Sequence, residues 1–324
     1  MAARPTRILV IRFSSIGDIV LTAPAVASLR QAIHGPCEIH YLTKANMAAV
    51  VAGFGTLVDR VHTIEESTEE VQEALKGLDF DYVVDLHNNV RSRSIKRTLG
   101  LISFTVDKQN WAKWLLVRGW RRTPVTSIVK RYVEAYAEAF GAVVPEAWPV
   151  LFEEGSAPAG LPTAYAVLAI GATHSGKQLS SSLMQTIINR SDVPVMLIGG
   201  SGDAKRAKTL EGSNVISLVG ETTLAESAAV LRGARHVYAG DTGMMHLAAA
   251  MGTPVTSFWG CTRPSLGMAP WNPAQGSAII VPDAQLGSRP CSKLGNRCRH
   301  ANGCMAATER AFTCLLYTSP SPRD

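Results

Sequence analysis

The feature that most constrains the fold is a repeated rhythm of short apolar run, small-residue loop and helix-spaced segment. From Arg7, "RILVIRF" is a compact β-branched run; "SSIGD" follows as a loop, and "IVLTAPAVASLRQAI" carries apolar residues at helical spacing. The pattern continues through "CEIHYLT", "KANMAAVVAGF", "VDRVHTI", "STEEVQEALKGL" and "YVVDLH". Each strand is short and apolar enough to be buried on both faces, which predicts a parallel, doubly wound α/β sheet.

Around "LFEEGSAPAGLP", Leu151 to Pro162, periodicity is lost and Gly, Ala and Pro accumulate, as expected of a linker. The rhythm then restarts with "AYAVLAIG", "ATHSGK", a helix near "SSLMQTIINR", "VPVMLIGG", "NVISLVG", "LAESAAVLRGA", "HVYAGD" and "MMHLAAAMG". Two α/β domains follow, over residues 1–155 and 156–314. The last ten residues, "LLYTSPSPRD" (315–324), break from what precedes them and are set apart as a non-native tail.

No apolar run reaches membrane-span length, and "MAARPTRILVIRF" has neither the apolar core nor the cleavage site of a signal peptide, so a cytoplasmic location is expected. The net charge of +6 favours anionic partners. With aromatic residues at 6% and no module interleaving them with basic residues, no nucleic-acid partner is expected. Cys291, Cys298, Cys304 and Cys314 fall late in the chain without a paired C-x-x-C, so buried or incidental thiols are expected ahead of a structural zinc site, with no bound metal and no cofactor. In "KQNWAKWLLVRGWRRTP", Trp111, Trp114 and Trp120 accompany Arg118, Arg121 and Arg122. This segment suits either a membrane surface or a helix packed on its own domain with solvated arginines.

Loops after parallel strands form the usual ligand crevice of open sheets, and four such loops carry unusual residues. In "FSSIGDIV", Ser14 and Ser15 let backbone amides approach a ligand, Gly17 permits a tight turn, and Asp18 suits either a helix N-terminal carboxylate or a general base. In "AIGATHSGKQLS", Gly171 to Lys177 has P-loop spacing, but Gln178 stands where magnesium coordination needs Ser or Thr. Thr173 and Lys177 can still reach phosphate oxygens, the alternative being a polar loop with a solvated lysine. In "LIGGSGDAKRA", Asp203 can accept from a ribose or base, or cap the next helix. In "YAGDTGMMHLAAAMGTP", Asp241, Thr242, Gly243 and His246 gather within six residues at a helix start, which favours an anionic ligand over the alternative of Asp241 as an N-cap and His246 as a half-buried structural residue. Arg91 and Arg93, with Lys96 and Arg97, follow "YVVDLH" and suit either an anionic acceptor or a solvated helix face.

Together, "ILVIRFSSIGDIVLTAPAVASLR" and "GDTGMMHLAAAMGTPVTSFWG" resemble the two terminal signatures of glycosyltransferase family nine, the lipopolysaccharide heptosyltransferases; "DYVVDLHNNVRSRSIKR" is similar to an acceptor-domain segment of some members. The resemblance implies a GT-B fold, with two Rossmann-like domains facing a central cleft, the acceptor held mainly by the first and the nucleotide-sugar by the second. It implies an inverting transfer without a bound metal, from ADP-heptose to a lipid A-core oligosaccharide at the inner leaflet. Asp18 would be the general base, beside Ser14, Ser15, Gly17, Arg91 and Arg93 on the acceptor side. Thr173 and Lys177 would hold the donor diphosphate; Asp241, Thr242, Gly243 and His246 its sugar and phosphates; Asp203 and Thr222 would lie near the nucleoside. The chain departs from the family pattern at Ala172, Leu179 and Ser180. A P-loop-like nucleotide hydrolase or kinase, and a non-catalytic nucleotide-sugar-binding protein, are the competing readings.

Overall fold

A computed structural model describes residues 4–210, 212–283, 286–301 and 303–318, with side chains to 314. By its contacts the chain divides into two compact units, Met1–Lys108 with Thr126–Glu154, and Gln109–Val125 with Gly155–Asp324. The tail set apart in the sequence is split: residues 315–318 prolong the final helix, and 319–324 lie outside the described residues.

The first unit runs β1 (Thr6–Ile11), α1 (Ile16–Val20), α2 (Ala23–Ala32), β2 (Cys37–Lys44), α3 (Ala48–Ala52), β3 (Arg60–Ile64), α4 (Glu69–Lys76), β4 (Tyr82–Asp85), α5 (Val90–Leu99) and β5 (Ile102–Thr105). After an excursion through α6 (Asn110–Arg118), it closes with α7 (Ile128–Glu134) and α8 (Ala137–Phe140). Its strands lie in the order β3-β2-β1-β4-β5, every pairing parallel. In β1 the last four residues, Ile8 to Ile11, are fully buried, as a central strand covered on both faces requires. Leu9, Ile11, Phe13, Leu42, Val83 and Ile95 form the core on one side of the sheet.

The second unit runs β6 (Ala166–Ala169), α9 (Ser181–Arg190), β7 (Val195–Ile198), α10 (Ala204–Ala207), β8 (Val215–Ser217), α11 (Leu224–Gly233), β9 (His236–Gly240), α12 (Gly243–Ala250), β10 (Val255–Phe258), β11 (Ala278–Ile280) and α13 (Gly303–Thr318). The strand order is β11-β10-β9-β6-β7-β8, again all parallel. Strands β6 and β7 are buried throughout, and their residues Leu168, Val195 and Leu197 pack with Leu183, Met184 and Ile187 of α9. On α12, everything from Met245 to Ala250 is buried, because small alanines let the helix lie close to the sheet.

Two features set the position of the loops. In the first sheet, β2 and β3 lie on one side of β1 while β4 and β5 lie on the other; in the second, β7 and β8 lie on one side of β6, and β9 to β11 on the other. The direction of winding therefore reverses between β1 and β4, and between β6 and β9. At such switch points adjacent loops diverge and leave a crevice at the carboxyl ends of the strands. Helix α6, read from the sequence as part of the first domain, instead packs Leu116 against Val125 and Leu266 of the second unit.

Candidate active site

In the first unit, Asp18 sits in the loop and helix that follow β1, at the reversal point. Serine 15 is the N-cap of α1, and Asp18 is its third helical residue, so the pair forms a capping box. Ser15 Oγ donates to Asp18 Oδ2 at 2.9 Å, and Asp18 Oδ1 pairs with Arg12 at 2.8 Å. Arg12 is itself fixed, donating from Nε to Ser14 O and from Nη1 to Leu86 O, both at 2.8 Å. Burial works against the Arg12 charge, but Asp18, together with Tyr132 and Tyr41, outweighs it and holds the guanidinium pKa above its ordinary value. The carboxylate is thus anchored from the protein side while keeping 26% of its side chain exposed. Asp18 thus belongs to the capping box of α1, and its part-exposed carboxylate follows the carboxyl end of β1.

The loop after β4 supplies the opposite side of this reversal point. Nothing in the sequence singles out His87, yet its Nδ1 accepts the Phe13 amide at 3.2 Å, tying the two loops together. Burial, with Arg12 and Lys108 nearby, pushes the His87 pKa down to about 3, so the ring is a neutral Nε2–H tautomer at physiological pH. Asp85, fully buried at the end of β4, organises the turn. It accepts from the amides of His87 and Asn88, from Ser92 Oγ, and from Lys96 Nζ at 3.0 Å. Lys96 also donates to Thr105 Oγ1 at 2.7 Å, so this lysine of the basic run is a structural cation. Asn89 caps α5, and Arg91, Arg93 and Arg97 project from that helix as exposed side chains.

In the second unit, Lys177 and Asp241 come from the two loops that flank the β6/β9 reversal. Lys177 ends a single 3-10 turn, Ser175–Lys177, and its Nζ lies 2.8 Å from Asp241 Oδ2. Thr262 Oγ1 donates to the same carboxylate oxygen at 2.7 Å. Asp241 is buried, and Gly240 before it is required by close approach: a Cβ there would meet Lys177 O at 2.6 Å. Thr242 is the N-cap of α12 but makes no side-chain capping bond, and its buried Oγ1 has no hydrogen-bond partner among the described residues. A buried hydroxyl without a partner is costly, and here it stands beside the first-turn amides of α12, which a helix leaves without an intrahelical partner. Gly243 opens that helix and His246 is buried on it.

The other sequence candidates of this unit have contacts of their own. One Asp203 carboxylate oxygen accepts the Gly200 amide at 3.0 Å and packs over Gly171, where a Cβ would come within 2.5 Å of it. Thr222 shares a 2.9 Å hydrogen bond with Ser227, while Thr223 caps α11. Thr173 is exposed on the loop after β6. Gln178, which replaces the P-loop hydroxyl, donates to Ala172 O at 3.1 Å. The departures at Leu179 and Ser180 have local reasons. Leu179 is buried in the core, and Ser180 caps α9 by accepting the Leu183 amide at 3.1 Å while donating to Glu309 at 2.7 Å.

The cysteines are free, and one that the sequence did not group with the late ones lies among them. Cys314 is exposed, whereas Cys261, from the loop after β10, joins Cys291, Cys298 and Cys304. The sulfurs of these four residues all lie within 4.8 Å of one another.

The family model described as glycosyltransferase family 9 (heptosyltransferase) matches residues 69–301. Lipopolysaccharide heptosyltransferase 1 of Pseudomonas aeruginosa is 26% identical, over 89% of this chain and 86% of that protein. Among solved structures, a glycosyl transferase family 9 protein of Veillonella parvula superposes with a TM-score of 0.70 at 17% identity, covering 86% of this chain and 87% of that one. An E. coli heptosyltransferase solved with ADP-2-deoxy-2-fluoro heptose gives 0.69 at 22% identity, covering 96% and 100%. These neighbours share the GT-B fold of two parallel-sheet domains. The chain belongs to glycosyltransferase family 9, the heptosyltransferases.

Proposed function

We propose that this glycosyltransferase moves a heptose from ADP-heptose to the inner core of lipopolysaccharide, inverting the anomeric centre and using no catalytic metal. The observation that carries the reading is a division of charge. One strand-reversal point presents a fixed carboxylate, Asp18, and the other presents a lysine, a partnerless hydroxyl and helix amides.

Asp18 takes the proton from an acceptor hydroxyl as that oxygen attacks the anomeric carbon. The new carbon–oxygen bond forms on one face while the bond to the ADP phosphate oxygen breaks on the other, which inverts the configuration. Arg12 and Ser15 hold the carboxylate in place during the transfer. On the donor side, Lys177 shares its charge between Asp241 and the leaving diphosphate, and Thr242 with the first amides of α12 binds phosphate or sugar oxygens. Thr173 and Gly243 line this region, His246 supports α12, and Asp203 with Thr222 shapes the nucleoside side. Ser14, Gly17, Arg91 and Arg93 face the acceptor, the arginines suiting its phosphates and acidic sugars.

The lipid-linked acceptor resides at a membrane, and no helix among the described residues is long and apolar enough to cross one. Trp111 and Trp120 are 70% and 72% exposed, and Trp111 stacks on Trp114 at 4.8 Å. Arg118 lies over the Trp114 ring at 5.3 Å. This aromatic and basic patch suits peripheral binding to an anionic leaflet on the cytoplasmic side.

The test is ADP release from ADP-heptose in the presence of a heptose-deficient lipopolysaccharide core, with magnesium omitted or added. Acceptor-dependent, magnesium-independent release supports the proposal. Turnover only of ATP with strict magnesium dependence would replace it with phosphoryl transfer, and donor binding without any turnover would leave a binding protein.

A further inference from the structure

We infer that Cys261, Cys291, Cys298 and Cys304 form a tetrathiolate site for a thiophilic divalent ion, zinc by preference, which fastens the carboxy-terminal segment of the second unit beside the Lys177 loop.

The geometry is close to that of such a site. Tetrahedral zinc with sulfur ligands at about 2.3 Å places the sulfurs about 3.8 Å apart. Here the Cys291 and Cys304 sulfurs are 3.5 Å apart, those of Cys298 and Cys304 3.6 Å, and all four lie within 4.8 Å of one another. A disulfide needs about 2.05 Å, so both contacts are non-bonded, and Cys304 stands equally near two partners. Cys261, Cys291 and Cys304 are buried, while Cys298 is partly exposed and gives an ion a way in. The amides of His300 and Cys304 donate to the Cys298 sulfur, a bond that supports thiolate ligands. Four thiolates around a divalent ion leave a net double negative charge. Arg263 is buried alongside, and Arg299 donates to the carbonyls of Pro290 and Cys291.

The surrounding chain needs a fastening. Between β11 and α13, the described residues form no strand or α-helix, an unusual length of irregular backbone within a compact domain. The small apolar cluster at its centre consists of three of the cysteines, with Leu286 and Cys298 packed against it. Sulfur is thus the core of this segment, and three stretches of chain converge on it, as in small domains organised by a metal.

The cluster adjoins the donor loop. Cys261 donates its amide to Gly176 O at 2.9 Å, Gly176 donates to Gly295 O at 3.0 Å, and Cys291 donates to Cys261 O at 2.7 Å. A Cβ at Gly176 would meet Gly295 O at 2.4 Å and the Cys261 sulfur at 2.7 Å. The ion therefore braces the turn that ends in Lys177. That consequence rests on the donor-site reading, whereas the presence of the metal does not.

The experiment is elemental analysis of the purified full chain, grown with zinc and passed through a desalting column in EDTA, combined with mercurial titration of its thiols. About one zinc per chain, released in step with the titration of four thiols, supports the site; about one iron per chain released in the same way supports the four-thiolate cage as well. Cobalt loading gives a second readout, an intense thiolate-to-cobalt band with tetrahedral d–d absorption. Cys298→Ser is expected to release its ion at least about tenfold faster to a competing chelator, while Cys314→Ser and Cys37→Ser retain it as the wild type does. A native chain free of stoichiometric metal, with these thiols reacting at once or joined in disulfides by mass, overturns the inference whether or not any variant folds. Failure of transferase activity with the metal in place would count against the proposed function alone.

Discussion

Lys177 Nζ and Asp241 Oδ2 lie 2.8 Å apart across the point where the second sheet reverses its winding, the lysine ending one loop and the aspartate beginning the next. The pair holds both loops in register. It also keeps a part-exposed positive charge at the carboxyl end of the sheet without leaving it isolated.

Replacing Lys177 by Ala leaves Asp241 buried with Thr262 as its remaining side-chain partner. The expected stability loss is about 1–3 kcal/mol. If Lys177 also meets the diphosphate, affinity for ADP falls by a similar energy. Urea melts and calorimetric ADP titrations separate the two effects. The double variant Lys177→Met with Asp241→Asn should recover stability without recovering affinity, and full recovery of both would remove Lys177 from the donor site.

Asp18→Asn preserves the side-chain size and an acceptor oxygen for the capping box, but removes the proposed base and the charge partner of Arg12. Turnover is expected to drop by at least about 10²-fold, with ADP affinity unchanged. Residual activity near wild type would assign Asp18 to capping alone.

The histidines of the first unit set an acid limit. Burial, Arg12 and Lys108 hold His87 down to about 3; burial, His40 and Arg60 hold His62 down to about 4. The unfolded chain protonates both near 6.5, so it binds more protons than the folded chain between that pH and the folded values. Stability is therefore complete above about pH 6.5 and is lost progressively as pH falls toward 3 to 4. Urea midpoints between pH 7.5 and 4.5 should decline, and His87→Gln should decline less steeply; parallel curves would show that His87 contributes nothing to the slope.

Gly240→Ala places a methyl group within 2.6 Å of the Lys177 carbonyl, a backbone atom that can yield only by moving its loop. A cost of about 1–3 kcal/mol is expected, with weaker ADP binding as Lys177 shifts from Asp241. Unaltered affinity in a folded variant would show that the loop tolerates displacement.

The double variant Trp111→Ala, Trp120→Ala removes two largely exposed rings, so stability should change by no more than about 0.5 kcal/mol. Co-sedimentation with anionic vesicles should fall several-fold. Equal sedimentation would leave the patch without a membrane role.

Much of the architecture is legible in the sequence because its signals are local. β-branched runs such as "RILVIRF" mark central strands, and small-residue loops before helix-spaced segments mark the crossovers. Asp18, Lys177 and the Asp241 to His246 stretch could be selected for the same reason: each loop pairs polar side chains with glycine at a helix start. His87 could not, since its neutral state depends on burial and on Arg12, which is brought near by folding. Nor could Lys96 be distinguished from Arg91 and Arg93 before Asp85 was placed beside it.

The sequence by itself determined the α/β alternation and the position of the loops proposed to carry chemistry, because strand burial, helix spacing and turn-forming residues act over a few neighbours. Only the tertiary structure decided that Lys177 pairs with Asp241, that Asp18 is held by Arg12, that α6 packs with the second unit, and that Cys261 joins three cysteines far along the chain. These are meetings of charges, apolar faces and sulfurs between segments whose separation in sequence carries no signal of their closeness in space.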